Sequence, residues 1–270
     1  MWNAVNGHLD LEDFGMDYIC FGKGPGTLVM IPGVGDGLKT VKGMALPFAC
    51  LYRELARDFT VYVFSRRVDL EPDTTTRQMA EDLNTALEAL GLSQVSLVGV
   101  SQGGMISQWL TIDHPEMVSR LVLAVTLSRP NPTVQDVIGR WTKMAEDGDY
   151  KGIMLDTAER SYSEKRLKKA RRMYRFLGNV GKPKSFDRFL IQAQSCVTHD
   201  SYEQLPQITC PTLVIGGTDD RIVTGEASVE IARKIKGSRL KMYEGLGHGL
   251  YEEAPDFIRR VGSFCLSKDE

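Results

Sequence analysis

Long apolar runs are missing from this sequence: no uninterrupted stretch approaches the roughly 20 residues that a membrane-crossing helix needs, so no integral membrane segment is expected. Cysteine is scarce and odd in number, five at irregular spacing, which fits neither a disulfide framework nor a zinc site. Cys20 and Cys265 fall within apolar patterns, as buried thiols do. Neither charge dominates: 33 Lys and Arg against 35 Asp and Glu leave a formal net charge of −2, which argues against a dedicated nucleic-acid binder. The opening residues, Met1 to His8, show neither the basic start nor the apolar core of a secretory signal. The final Ser-Lys-Asp-Glu lacks the closing leucine of a retention signal, and a cytoplasmic location is the default expectation. The glycine-rich loop at 22–26 is not followed by Gly-Lys-Ser/Thr, which excludes a phosphate cradle there. No internal repeat or low-complexity tract is visible.

What remains is the composition of an ordinary globular enzyme, 42% hydrophobic and 25% charged over 270 residues, long enough for one large α/β domain with an insertion. Residues 9–21 suggest a hairpin. Short apolar runs at 27–31, 60–64, 95–98, 119–125, 212–216 and 239–243 read as strands, several of the kind buried on both faces of a parallel sheet. Helical periodicity fills 42–58, 74–90, 105–112, 225–235 and 255–266 between them. This alternation predicts an α/β fold with a mostly parallel central sheet and helices on both faces. Between 128 and 206 the alternation stops, and helical stretches rich in Lys and Arg take its place. The expected organisation is a core of 1–127 and 207–270, with a helical insertion of 128–206 over the strand ends that carry the site.

One pentapeptide, Gly99-Val100-Ser101-Gln102-Gly103, sits between the run 95–98 and the helical stretch 105–112. Strand, sharp turn and helix with a serine at the apex read as a nucleophile elbow: the turn strains the serine backbone and holds its hydroxyl clear, and the glycines let strand and helix pass closely. An isolated serine is a poor nucleophile near neutral pH and needs a base within hydrogen-bond reach. His248 is the candidate, in a glycine-flanked loop between the last strand and the last helix. His8, His114 and His199 read as surface, capping or packing residues. A histidine base needs a carboxylate to hold its tautomer, and the loop after Gly216 offers Asp219 and Asp220.

With Gly99 to Met105, the loop Pro32-Gly33-Val34-Gly35, the stretch Gly216-Gly217-Thr218-Asp219-Asp220-Arg221-Ile222-Val223 and the loop Gly245-Leu246-Gly247-His248-Gly249, the chain resembles the α/β-hydrolase fold family. The resemblance covers nearly the whole chain apart from the insertion, and the order nucleophile, acid, histidine matches the family's. It implies Ser101 as nucleophile, His248 as base and acid, and Asp220 rather than Asp219 as the orienting carboxylate. In some relatives the acid follows an earlier strand, but here that position reads Thr126-Leu127-Ser128-Arg129. The oxyanion donors it implies are the backbone N–H groups of Val34 and Gln102. Pro32 stands where the family often has histidine, and Ser65-Arg66-Arg67 replaces a common acidic, glycine-rich turn and reads as a solvated, basic loop. The activity expected is hydrolysis of a small carboxylic ester, thioester or lactone without metal or organic cofactor. The same triad could serve an acyltransferase, enol-lactonase, carbon–carbon bond hydrolase or perhydrolase, or stand in a ligand receptor. The partner expected is a small acyl substrate, not nucleic acid; a homodimer is left open.

The family's insertion acts as a cap that sets much of the substrate choice. Between Arg140 and Arg188 lie fourteen Lys/Arg and seven Asp/Glu, a balance of +7 that leaves −9 for the rest. The helix at 164–178 is densest, with Leu167, Ala170, Tyr174 and Leu177 as its apolar face, and it either draws an anionic substrate or an acidic membrane surface, or simply solvates its charges. Gly33, Met105 and Trp141 are the expected pocket residues.

Overall fold

The structure is a computed structural model that describes residues 2–267. Eight strands, β1 (Val5–Asp10), β2 (Gly15–Gly22), β3 (Gly26–Ile31), β4 (Phe59–Arg67), β5 (Val95–Val100), β6 (Val118–Ala124), β7 (Thr212–Gly217) and β8 (Arg239–Tyr243), form one sheet in the order β1-β2-β4-β3-β5-β6-β7-β8. The β1–β2 and β2–β4 pairs are antiparallel, and every pair from β4–β3 to β7–β8 is parallel. No helix among the described residues is long and apolar enough to cross a membrane.

The continuous apolar runs that marked these strands divide their side chains between two cores. Successive residues point to opposite faces, so Leu28 and Met30 join one cluster while Val29 and Ile31 join the other. Each fully buried side chain of this size contributes about 2 kcal/mol of transfer free energy. On one face lie α1 (Ala45–Leu51), α2 (Leu55–Asp58) and α11 (Phe257–Leu266); on the other lie α3 (Thr76–Ala89), α4 (Gln102–Asp113) and α9 (Gly225–Lys234). Thr75 and Gln78 close a reciprocal capping box on α3, and Gly91, with φ of 65°, ends it. The helix expected over 42–58 breaks at Tyr52, which leaves Leu46 and Leu51 exposed and turns Leu55 and Ala56 onto β2 and β4.

Residues 128–206 hold α5 (Pro132–Glu146), α6 (Tyr150–Ser161), α7 (Glu164–Leu177) and α8 (Asp187–Thr198), without a strand. Asn131 and Asp149 cap α5 and α6 by accepting from Val134 N at 2.9 Å and Gly152 N at 2.8 Å. Helices α5 and α8 share a third apolar cluster with Leu127, Ile222 and Val223, which seats them at the C-terminal ends of β6 and β7. A last short helix, α10 (Leu250–Glu253), follows the His248 loop.

Candidate active site

The loops leaving β3, β5, β7 and β8 all emerge at the C-terminal edge of the sheet, where an open α/β sheet presents its ligands. Ser101, between β5 and α4, has φ 55° and ψ −121°, a conformation costly for a residue with a Cβ. Its neighbours hold it there. Ser101 N donates to Ala124 O at 2.9 Å, and Thr126 Oγ1 donates to Ser101 O at 2.7 Å. At Gly103 a side chain is excluded by contact: a Cβ would lie 2.0 Å from Ile31 O.

Asp220 and His248 are both buried, and they meet: His248 Nδ1 donates to Asp220 Oδ2 at 2.8 Å. The other oxygen of Asp220 accepts from Ile222 N at 2.8 Å and Val223 N at 3.0 Å, which fixes the carboxylate before it touches the ring. Asp219 instead faces Thr218 Oγ1 at 2.9 Å on the surface. With Nδ1–H given to the carboxylate, the neutral ring keeps Nε2 as an acceptor. Ser101 and His248 line the same cavity of about 300 Å³, and no direct hydrogen bond joins them among the described residues. Such contacts often tighten only around a bound substrate.

Gly33 and Val34 line the cavity opposite Ser101, and a Cβ on Gly33 would stand 3.1 Å from that of Ser101. Val34 opens a short 3-10 turn and Gln102 opens α4. First-turn amides have no acceptor within their own helix, so both N–H groups are free of that demand. From the insertion, Trp141 and Thr157 line the cavity; Trp141 Nε1 donates to Asp156 Oδ2 at 2.8 Å, which also accepts from Arg160 Nε at 2.8 Å. Met105 corrects the expectation made for it. It is 1% exposed in the core with Leu127 and Val134, below the elbow, because the first turn of α4 points that side chain under the insertion. No residue of α7 lines the cavity, and two of its arginines pair with carboxylates, Arg166 with Glu252 and Arg171 with Glu159. His8 pairs with Asp17, His114 with Glu81, and His199 is buried against Thr76 Oγ1.

Sequence reasoning missed a buried polar cluster beneath the Pro32–Val34 segment. Asp36 Oδ2 accepts from Arg66 N at 3.2 Å, Arg188 Nη2 at 2.8 Å and Gln192 Nε2 at 3.2 Å. Arg66 Nη2 donates to Pro32 O and, at 2.8 Å, to Gln102 Oε1. Gln102 Nε2 in turn donates to Gln192 O at 2.7 Å and Ser195 Oγ at 2.9 Å. The only signal for it was the replacement of the usual turn by Ser65-Arg66-Arg67, which is not the solvated basic loop expected: these residues end β4, and Ser65 and Arg66 are buried.

A family model described as alpha/beta hydrolase fold matches residues 26–255. RutD of Caulobacter sp. (strain K31), which carries the provisional name carbamate hydrolase, is 26% identical over 203 residues, 71% of this chain and 72% of its own. The 2-hydroxy-6-oxo-6-phenylhexa-2,4-dienoate hydrolase of Comamonas testosteroni is 24% identical over 269 residues, covering 96% of this chain and 94% of its own. The solved enol-lactonase of Burkholderia xenovorans LB400 superposes with a TM-score of 0.82 at 17% identity, over 97% of this chain and all of its own. A family match that spans the parallel sheet and all four of these loops settles the lineage: the chain belongs to the α/β-hydrolase fold family of enzymes.

Proposed function

We propose that the protein is a serine hydrolase of small carboxylic esters, thioesters or lactones, with Ser101, His248 and Asp220 as its triad and residues 128–206 as its cap. The observation that carries this reading is one cavity lined by a strained serine and by a histidine whose far nitrogen is held by a buried carboxylate. His248 Nε2 takes the Ser101 proton as Oγ bonds to the acyl carbon, and the carbonyl π pair moves onto oxygen. The Val34 and Gln102 amides stabilise that oxyanion. Its collapse breaks the bond to the leaving group, which receives the proton from His248, and leaves an acyl-enzyme. Water then adds with His248 as base again; the second collapse frees the carboxylic acid and returns the proton to Ser101.

The cavity of about 300 Å³ lies at the lower end of the range for small-molecule sites, which sets the expectation for acyl length. A series of chromogenic esters from acetyl to long-chain should show turnover falling with chain length and abolished in Ser101→Ala. Unchanged turnover in that variant would sink the triad. The near full-length match to a dienoate hydrolase supports a second reading, cleavage of a carbon–carbon bond next to a ketone by the same groups. Product analysis with an ester and a vinylogous diketone separates the two.

A further inference from the structure

Arg66 spends its guanidinium in an unexpected direction. The carboxylate whose charge acts on it, Asp36, accepts from the Arg66 backbone N, while the side-chain Nη2 reaches two other groups, Pro32 O and Gln102 Oε1. Pro32 is two residues before Val34 in the same loop, and Gln102 follows Ser101. The two segments that present the oxyanion donors are therefore tied together by one buried nitrogen. Arg66 is 4% exposed, and burial pulls its pKa down to about 10 against the opposing charge of Asp36, so it stays cationic at neutral pH. Arg188 adds a second guanidinium to the single carboxylate of Asp36, whose side chain is fully buried. Arg66, Arg188 and Asp36 thus carry one positive charge in excess, joined to the cavity wall through Pro32 and Gln102. An ion pair kept for folding alone would balance its charges and aim Arg66 at Asp36, because an unbalanced buried charge is costly.

We infer that Arg66 is a positioning residue of the oxyanion hole, clamping the Pro32 carbonyl and the Gln102 side chain so that the Val34 and Gln102 amides keep one spacing. It rests on the acyl-transfer reading above and goes beyond it by assigning a residue outside the triad. Loss of the clamp should act on the transition state and spare ground-state binding.

The test is Arg66→Gln and Arg66→Lys, assayed with a short chromogenic ester and a trifluoromethyl ketone that forms a tetrahedral adduct on serine. In Arg66→Gln, kcat should fall about 30-fold, less than the loss of a whole oxyanion donor, with KM within threefold. Affinity for the ketone should fall in parallel, and Arg66→Lys should recover part of both. A folded Arg66→Gln with kcat and ketone affinity within threefold of the parent overturns the inference, as does a loss carried by KM alone. If Arg66→Gln does not fold, Gln102→Glu, which keeps the donor amide and the acceptor for Arg66 but loses the Nε2 bonds to Gln192 and Ser195, is set against Gln102→Met, which loses both, and the clamp requires the kcat and ketone losses in Gln102→Met to exceed those in Gln102→Glu; equal losses overturn it. Stoichiometric labelling of Ser101 by a fluorophosphonate in the parent protein is measured first. Its failure rejects the triad, whereas labelling in every variant with unchanged kcat rejects only the clamp.

Discussion

His199 is a buried histidine outside the proposed chemistry, and its surroundings make it a pH-dependent part of the fold. It is 2% exposed, held by Thr76 Oγ1 at 2.8 Å and Ser201 Oγ at 3.3 Å, and burial pushes its pKa down to about 3. A folded value below the unfolded 6.5 means that the unfolded chain takes up the proton first. The neutral ring's contribution is complete above pH 6.5 and is lost as pH falls towards 3, an effect bounded at about 5 kcal/mol. Asp82, raised to about 6 by burial, has the opposite slope, stabilising at low pH and losing that as pH rises through 6. A difference between two proteins that both keep Asp82 cancels it. His199→Gln should cost about 1–2 kcal/mol in urea unfolding at pH 7, with the gap narrowing between pH 6.5 and 4.5. A gap independent of pH would refute the buried neutral ring. Residues of this kind also show what was legible. Ser101, Asp220 and His248, the proposed triad, each lie in a short glycine-containing motif at a strand end, so local patterns were enough to single them out. Arg66, Asp36 and Gln192 were not readable, because their partners lie 30 to 156 positions away and no local pattern links them.

Among the elements, α7 shows how far periodicity reaches. Of its expected apolar face, Leu167, Ala170 and Tyr174 pack with Ala158 and Tyr162, whereas Leu177 is exposed. Periodicity could not show that this patch is a separate small cluster, nor that Phe176, Leu177 and Val180 would stand in solvent. The same limit hid the break after Leu51, since a spacing of three and four residues says which side chains share a face but not what the face meets. Beyond its own cluster, α7 is tied down by partly exposed contacts, Arg166 on Glu252, Arg171 on Glu159 and, just before its first turn, Ser163 N on Glu253 Oε2 at 2.9 Å with Ser163 Oγ on Glu253 Oε1. These contacts are few for fourteen residues, so the helix should open locally before the sheet does. Leu167→Ala removes its main apolar anchor, a loss of about 2–4 kcal/mol at a buried site. Limited trypsinolysis of this variant should cut within 165–175 at least about tenfold faster than in the parent, with the sheet peptides released at the parent rate. Equal acceleration of both sets would show that α7 is not an independent opening unit.

At the scale of the whole molecule, the other insertion helices behave differently. Val137 on α5 and Phe189 on α8 share one cluster with Met105 of α4 and Ala227 of α9, and Val34 and Leu38 pack against it. The insertion's core is therefore continuous with the layer under the elbow, and α5 and α8 have no apolar interior of their own to retain when the sheet melts. The protein should unfold in one transition with only α7 opening ahead of it. Trp109 lies on α4 and Trp141 on α5, both buried, so tryptophan reports on each side of that boundary. In a Trp2→Phe, Trp109→Phe background, fluorescence reads α5 alone while far-UV circular dichroism reads all the helices and strands. The two midpoints should coincide. Val137→Ala, at a fully buried position, should lower both together by about 4 °C, the shift that about 2 kcal/mol produces in a chain of this length. A fluorescence midpoint that falls alone would mean that residues 128–206 fold as a domain in their own right, able to melt while the sheet and the proposed triad stay in place.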